Sequence, residues 1–161
     1  MRIWNRLTLG ISIAACLANS APGAEPRDPR IGSWVEKKVS PSYQGLRRSF
    51  EDLGAGLVRL NITVDASGTA RSRSDHRCDG HQYPVLGQSG EPTDLTFSCR
   101  YRDALTVDFA FTRIGVGPWS VSRGTERFTE DGKTYAISAT LTDANGKVVE
   151  QVERLFERQH S

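Results

Sequence analysis

The residues with the most reactive side chains lie around two cysteines in the middle of the chain. Cys78 and Cys99 are separated by about 20 residues, and His76 and His81 flank the first of them. In an oxidising compartment such a pair favours a disulfide, which would contribute about 3 kcal/mol by closing a loop of this length. Two alternatives stay open. One is a zinc site built from both histidines and both thiolates, in a spacing that matches no standard zinc motif, and the other is a pair of free thiols.

His76 is also the candidate general base, since Asp75 and Asp79 lie close to it in sequence. General-base catalysis would need this histidine in a pocket beside a carboxylate. Because Asp79-Gly80 is a turn signal, we expect instead an exposed turn next to the cysteine pair. The sequence contains no nucleophile elbow, HExxH helix, Walker loop or dinucleotide fingerprint. We therefore predict a protein that is not an enzyme and that uses no metal or cofactor.

A set of arginines forms the second candidate cluster, on predicted neighbouring strands. Its members are Arg71, Arg73, Arg77, Arg100 and Arg102. This cluster could meet an anionic ligand or surface. We favour a solvated outer face whose charge is balanced by nearby acids across the strands. Those acids are Asp75, Asp94, Asp103 and Asp108.

The charge distribution excludes a nucleic-acid-binding surface. The formal net charge of the 161 residues is +2, with 21 basic and 19 acidic residues. Arg2 and Arg6 account for this excess, because the chain from Glu25 onward carries 19 basic and 19 acidic residues. A neutral domain lacks the basic stripe that nucleic-acid binding requires.

The first 24 residues have the layout of a secretory signal peptide. Two arginines precede an apolar run over residues 7–18, and small residues follow up to Ala24. The run is shorter than the roughly 20 residues that span a bilayer. We therefore expect export to the periplasm or the exterior, with residues 25–31 as a linker and residues 159–161 as a disordered tail.

A second interpretation of the same segment makes the protein a lipoprotein. Residues 13–16, Ile-Ala-Ala-Cys, resemble a bacterial lipobox. The signal would then cover residues 1–15, and a lipid on Cys16 would anchor the protein to the outer membrane. This anchor is the only membrane contact that we predict.

Alternating hydrophobicity predicts an all-β domain over residues 32–158. Inward apolar residues alternate with outward polar ones, and Asp-Gly and Asn-Gly turn signals separate the runs. Eight or nine strands joined by short hairpins form an antiparallel meander, which best buries its edges by closing into a barrel. Pro84 marks an edge or a bulge within its strand. The predicted strands cover residues 46–52, 56–64, 69–78, 81–86, 93–102, 105–113, 119–129, 134–142 and 148–157.

Several short motifs resemble those of lipocalin-like proteins. The resemblance to a group of small secreted bacterial proteins of unknown function rests on Ile-Gly-Ser-Trp, then residues 48–58, Asp-Gly-His-Gln-Tyr-Pro-Val, Asp-Gly-Lys-Thr and Asp-Ala-Asn-Gly-Lys-Val-Val in this order. It implies a lipocalin-like barrel and export, and it implies no catalytic residue. The Gly-x-Trp signature further implies that Trp34 closes one end of the barrel under an arginine from a late strand, either Arg154 or Arg158.

The predicted interior favours a binding function. On this register the barrel interior is lined by Phe97, Phe109, Phe111, Tyr135 and Ile137. Such a set suits a cavity for a small apolar or amphipathic ligand, and it equally suits a filled core. The alternative is an envelope protein that binds a protein partner through its loops or outer face, with Trp119 as an anchor. A hydrolase-type enzyme in the barrel mouth ranks third.

Overall fold

The computed structural model describes residues 28–37, 45–63 and 71–159. Every regular element in these ranges is a β-strand, so the prediction of an all-β domain is confirmed. The signal segment, Cys16 and the lipobox lie outside the described residues. The described part of the chain contains no helix long and apolar enough to cross a membrane.

Ten antiparallel strands follow one another around a closed barrel. The barrel closes where the first strand pairs with the last, with Trp34 opposite Arg158. The strands are β1 Gly32–Glu36, β2 Arg47–Gly54, β3 Leu57–Thr63, β4 Ser72–His76, β5 Tyr83–Gly87, β6 Pro92–Tyr101, β7 Thr106–Arg113, β8 Val121–Phe128, β9 Thr134–Thr142 and β10 Val148–Gln159.

The meander and its closure agree with the sequence prediction, whereas the strand count of eight or nine is wrong by at least one. The nine predicted segments correspond to β2 through β10, and β1 is the additional strand. The bulge expected at Pro84 is present, because the register of β5 against β6 shifts between Pro84 and Leu86. The final strand reaches Gln159, one residue beyond the predicted end of the domain.

Alternation along each strand builds the core. In β9, Tyr135, Ile137 and Ala139 are buried inside the barrel while Ala136 and Ser138 face solvent. Every other strand except β4 also contributes inward apolar residues, and these side chains form one hydrophobic cluster inside the barrel. Its most deeply buried members include Trp34, Phe50, Leu60, Phe97, Val107, Tyr135 and Phe156.

Glycines shape the barrel at two positions. Gly132 has a φ of +65° in the hairpin between β8 and β9, where a side chain would be strained. Gly124 faces Ala139 across the same strand pair, and a Cβ on it would lie 2.2 Å from the backbone oxygen of Ser138. The two strands can pair this closely only because position 124 lacks a side chain.

Candidate functional site

The barrel is closed at one end and hollow near the other. A cavity of about 200 Å³ lies inside the barrel towards the end that carries the β7–β8 and β9–β10 loops. Its walls are mostly apolar, and two arginines are the charged side chains that line it. The lining consists of Leu46, Arg48, Ile62, Phe109, Phe111, Ser122, Ile137, Ala139, Leu141, Val152 and Arg154.

A buried ion pair forms part of the cavity wall. Nη1 of Arg48 donates to Glu126 at 2.5 Å and to the hydroxyl of Tyr135 at 3.0 Å. Both charged side chains are almost fully buried, at 4% and 1% exposure. Burial lowers the pKa of Arg48, but the adjacent Glu126 carboxylate outweighs it, so the net pKa is raised and the guanidinium stays charged.

Arg48 retains hydrogen-bonding capacity towards the cavity. Among the described residues, the side-chain bonds that it donates both leave Nη1. A guanidinium carries five N–H groups, so Nε and Nη2 can still donate to an acceptor in the cavity that Arg48 lines. This arrangement gives an apolar chamber one polar wall with an arginine held in place by its partner.

A second ion pair lies beside this cavity, where Arg154 is a lining residue. Nη1 of Arg154 donates to both carboxylate oxygens of Glu36, at 2.8 and 3.0 Å. The backbone N–H of Leu46 also donates to Glu36, at 3.0 Å. The two arginines lining the cavity are thus each matched by a carboxylate, and the site carries no large net charge.

The structure divides the predicted lining residues into two groups. Phe109, Phe111 and Ile137 line the cavity. Phe97 and Tyr135 also point inward, but they are buried in the packed core, with 1% and 0% exposure. Tyr135 stacks on Phe156 at 4.7 Å between ring centroids, and these rings fill the barrel below the cavity.

Trp34 closes the packed end of the barrel under Arg158. The guanidinium carbon of Arg158 lies 4.2 Å from the centroid of the indole ring. The same side chain donates to the carbonyls of Pro29, Ile31 and Gly132, at 3.0, 2.6 and 2.6 Å. Of the two arginines left open for this role, Arg158 therefore covers Trp34, while Arg154 is placed at the cavity.

A second polar cluster surrounds the disulfide near the packed end. Cys78 and Cys99 are bonded to each other, with a sequence separation of 21. Nη1 of Arg30 lies 3.4 Å from Sγ of Cys99 and 3.1 Å from Nε2 of His76. Arg30 falls in the segment assigned to a linker, yet it is 1% exposed and its carbonyl accepts a bond from the Trp34 indole at 2.8 Å.

The zinc alternative does not fit this cluster. His76 and the two sulfurs lie within 4.8 Å of one another. The sulfurs are joined in a disulfide, so neither is a thiolate ligand. His81, the fourth ligand of the predicted set, is 81% exposed and contacts Asp79 instead.

The expectation that His76 lies in an exposed turn is wrong. β4 ends at His76, whose side chain is fully buried and packs edge-on against Phe97 at 4.5 Å. Arg30 donates to Nε2, so Nδ1 carries the ring proton and donates to the carbonyl of Ser74 at 3.2 Å. Burial, helped by the charge of Arg30, lowers the pKa of His76 to about 4.

The buried neutral His76 predicts a loss of stability in mild acid. In the unfolded chain the pKa of His76 is near its ordinary value of 6.5. Between about pH 6.5 and 4, therefore, His76 is protonated in the unfolded chain but stays neutral in the folded protein. The stability present above pH 6.5 should fall by about 3 kcal/mol across this window. Urea unfolding at a series of pH values measures it. In His81→Gln the free energy of unfolding should still fall between pH 6.5 and 4, and in His76→Gln this fall should be lost. An equal dependence on pH in both variants would refute the assignment.

Among the described residues, one of the five outer arginines forms an ion pair with an acid expected to balance it. Arg102 pairs with Asp108 at 2.6 Å, while Asp75 and Asp94 pair with Arg59 and Arg113 instead of members of the cluster. Trp119 is half-buried, with the guanidinium of Arg113 4.7 Å from its ring centroid.

Comparison with solved structures shows that this chain is similar to a mycobacterial protein of known structure. The crystal structure of Rv2717c from M. tuberculosis aligns with a TM-score of 0.48 and 15% sequence identity, covering 87% of this chain and 99% of that chain. No protein-family model and no curated protein matches the chain. A likeness at this level carries no argument about function.

Proposed function

We propose that this barrel is a non-enzymatic binding protein for one small apolar or amphipathic molecule. The observation that carries the proposal is the interior cavity of about 200 Å³ with one uncommitted face of Arg48 on its wall. Its size is below the roughly 300–1,000 Å³ typical of pockets for drug-sized ligands. The ligand class is therefore a short apolar chain or ring with a hydrogen-bond-accepting group.

The pairing of the charged groups supports binding over catalysis. Glu126 and Glu36 each accept hydrogen bonds from an arginine, so neither carboxylate is set up as a general base for a bound substrate. His76 is packed among core side chains and does not line this cavity. The cavity offers shape, apolar contact and N–H donors, which are the elements of a binding site.

We propose in addition that the barrel belongs to an exported protein of the lipocalin-like group. The layout of residues 1–24 supports export, and the Cys78–Cys99 disulfide is compatible with an oxidising compartment. The indole of Trp34 under Arg158 supports the resemblance.

A protein-interaction module is the second candidate, and the loop between β7 and β8 favours it. Ile114 and Val116 are strongly exposed in this loop. Trp119, the anchor predicted from the sequence, is half-buried under Arg113 and so offers less of its surface to a partner. Two exposed aliphatic side chains make a smaller anchor than the aromatic hot spots of stable interfaces, so we rank this function second.

Filling the cavity is expected to abolish binding. Ala139 lines the cavity, and Ala136 on the same strand faces solvent, so these positions form a matched pair. Octanoate and 1-octanol serve as probes, titrated by calorimetry. Ala139→Phe should weaken binding of either probe at least about tenfold, because the added ring occupies the space that buries the chain.

Ala136→Phe is the control for this experiment and should bind as the wild type does. Circular dichroism and urea midpoints check that both variants are folded. Equal affinities in the two variants, or a wild-type protein that binds neither probe, would contradict the proposal.

A further inference from the structure

The two sulfurs of the disulfide differ in their surroundings. Cys99 is 2% exposed within the core, whereas Cys78 is half-buried. Cys78 also lines a second cavity, of about 440 Å³, at the packed end of the barrel together with Arg30 and Tyr101. A reagent that enters this cavity therefore meets the sulfur of Cys78 first.

The guanidinium of Arg30 is held in place next to the buried sulfur of Cys99. Arg30 is held by Asp28, which accepts from Nε at 3.1 Å and from Nη2 at 2.8 Å. This clamp leaves Nη1 directed at Sγ of Cys99, 3.4 Å away, and at His76. A hydrogen bond from a charged donor is stronger to a thiolate than to a neutral disulfide sulfur. Arg30 is thus placed to stabilise Cys99 as a departing thiolate.

We propose that Cys78–Cys99 is an exchangeable disulfide that accepts electrons from a dithiol, with Cys78 as the attacked sulfur and Cys99 as the leaving sulfur. A thiolate of the dithiol attacks Sγ of Cys78, the Cys78–Cys99 bond breaks, and its electron pair leaves on Sγ of Cys99 beside Arg30. The product is a mixed disulfide between the dithiol and Cys78.

The second thiolate of the same molecule completes the exchange. It attacks its partner sulfur in the mixed disulfide and expels Cys78 as a thiolate. The two protons released by the dithiol are taken up by Cys78 and Cys99. The dithiol is oxidised to a disulfide and the protein disulfide is reduced to two thiols, so two electrons are transferred in total.

Reduction of the folded protein tests this proposal without altering the barrel. The full chain carrying Cys16→Ala is treated with dithiothreitol at urea concentrations below the unfolding transition, and released thiols are counted over time. We expect a rate independent of urea, because the folded state reacts. A rate that rises steeply with urea would overturn the proposal, since reduction would then require unfolding.

Trapping the intermediate tests which sulfur is attacked. Reduced glutathione with iodoacetamide should yield glutathione on Cys78 and the alkyl group on Cys99, identified by peptide mass spectrometry. The reverse labelling, or no adduct in the folded protein, would overturn the assignment.

A substitution of Arg30 tests whether this residue speeds cleavage of the disulfide. Arg30→Gln should slow cleavage by dithiothreitol about threefold, because the Cys99 thiolate becomes a poorer leaving group. Arg59→Gln, which removes an arginine paired with Asp75 on the outer face, should leave the rate unchanged. An unchanged rate in a folded Arg30→Gln variant would overturn the role of Arg30. If that variant does not fold, the reduction and trapping tests, which leave Arg30 in place, decide the proposal.

Discussion

Replacing Arg48 by methionine is expected to destabilise the barrel by about 3–5 kcal/mol. The substitution leaves Glu126 as an unpaired carboxylate with 1% exposure, and it removes the bond donated to Tyr135. Because small domains are stable by only about 5–15 kcal/mol, the variant should unfold at a much lower urea concentration. Urea unfolding followed by far-ultraviolet circular dichroism measures the change.

The double variant with Arg48→Met and Glu126→Met separates two causes of the destabilisation: the loss of the Arg48 contacts, and the burial of an unpaired Glu126 carboxylate. Removing both members replaces the ion pair by apolar side chains of similar length, and it should restore stability to within about 1–2 kcal/mol of the wild type. If the double variant is as unstable as the single one, the cost does not come from the unpaired carboxylate.

Trp34→Ala is expected to have an effect of similar size, about 3–5 kcal/mol. The indole is fully buried and packs edge-on against Tyr135 at 4.8 Å and Phe128 at 5.7 Å. Truncation leaves a cavity at the packed end and removes the ring under Arg158. It also breaks the bond from the indole N–H to the Arg30 carbonyl.

Trp119→Ala provides the matched control. This tryptophan is half-buried within the β7–β8 loop, and its contact with Arg113 should contribute no more than about 1 kcal/mol. Circular dichroism is the preferred signal, since the loss of either indole changes the fluorescence. Equal urea midpoints for the two variants would contradict the role of Trp34 in closing the barrel.

The two ends of the barrel have different roles: one is filled by packed side chains, and the other contains the cavity. Stacked aromatic rings and the network around Arg158 fix the barrel at the end where the chain enters β1. The Arg48–Glu126 pair lies between those rings and the cavity, because it touches Tyr135 on one side and lines the cavity on the other. The stability of the packed end thus holds the cavity wall in position.

Most of the fold could be predicted because apolar and polar residues alternate clearly in β3, β6, β7 and β9, and turn signals separate the remaining strands. β1 is a five-residue strand whose inward positions are Trp34 and Glu36, so it shows no apolar alternation. The choice between Arg154 and Arg158 could not be made from the sequence, since both share the inward face of β10. Pairing register decides it, because Trp34 lies opposite Arg158.

The polar groups inside the barrel were missed for a different reason. Arg48 follows the inward phase of Leu46 and Phe50, and Glu126 follows that of Phe128, so the signal was present. A charged side chain that points into a barrel needs a partner of opposite charge. For Arg48 this partner is Glu126, which lies 78 residues away in sequence. Strand pairing around the whole barrel was needed to bring the two together.

Native mass spectrometry of the protein purified from its own cell envelope tests the binding function most directly. We expect a wild-type mass raised by one small molecule that is released on collisional activation, and an Ala139→Phe variant at the mass of the bare chain. A wild-type protein at the bare mass, or an added mass that Ala139→Phe retains equally, would contradict it.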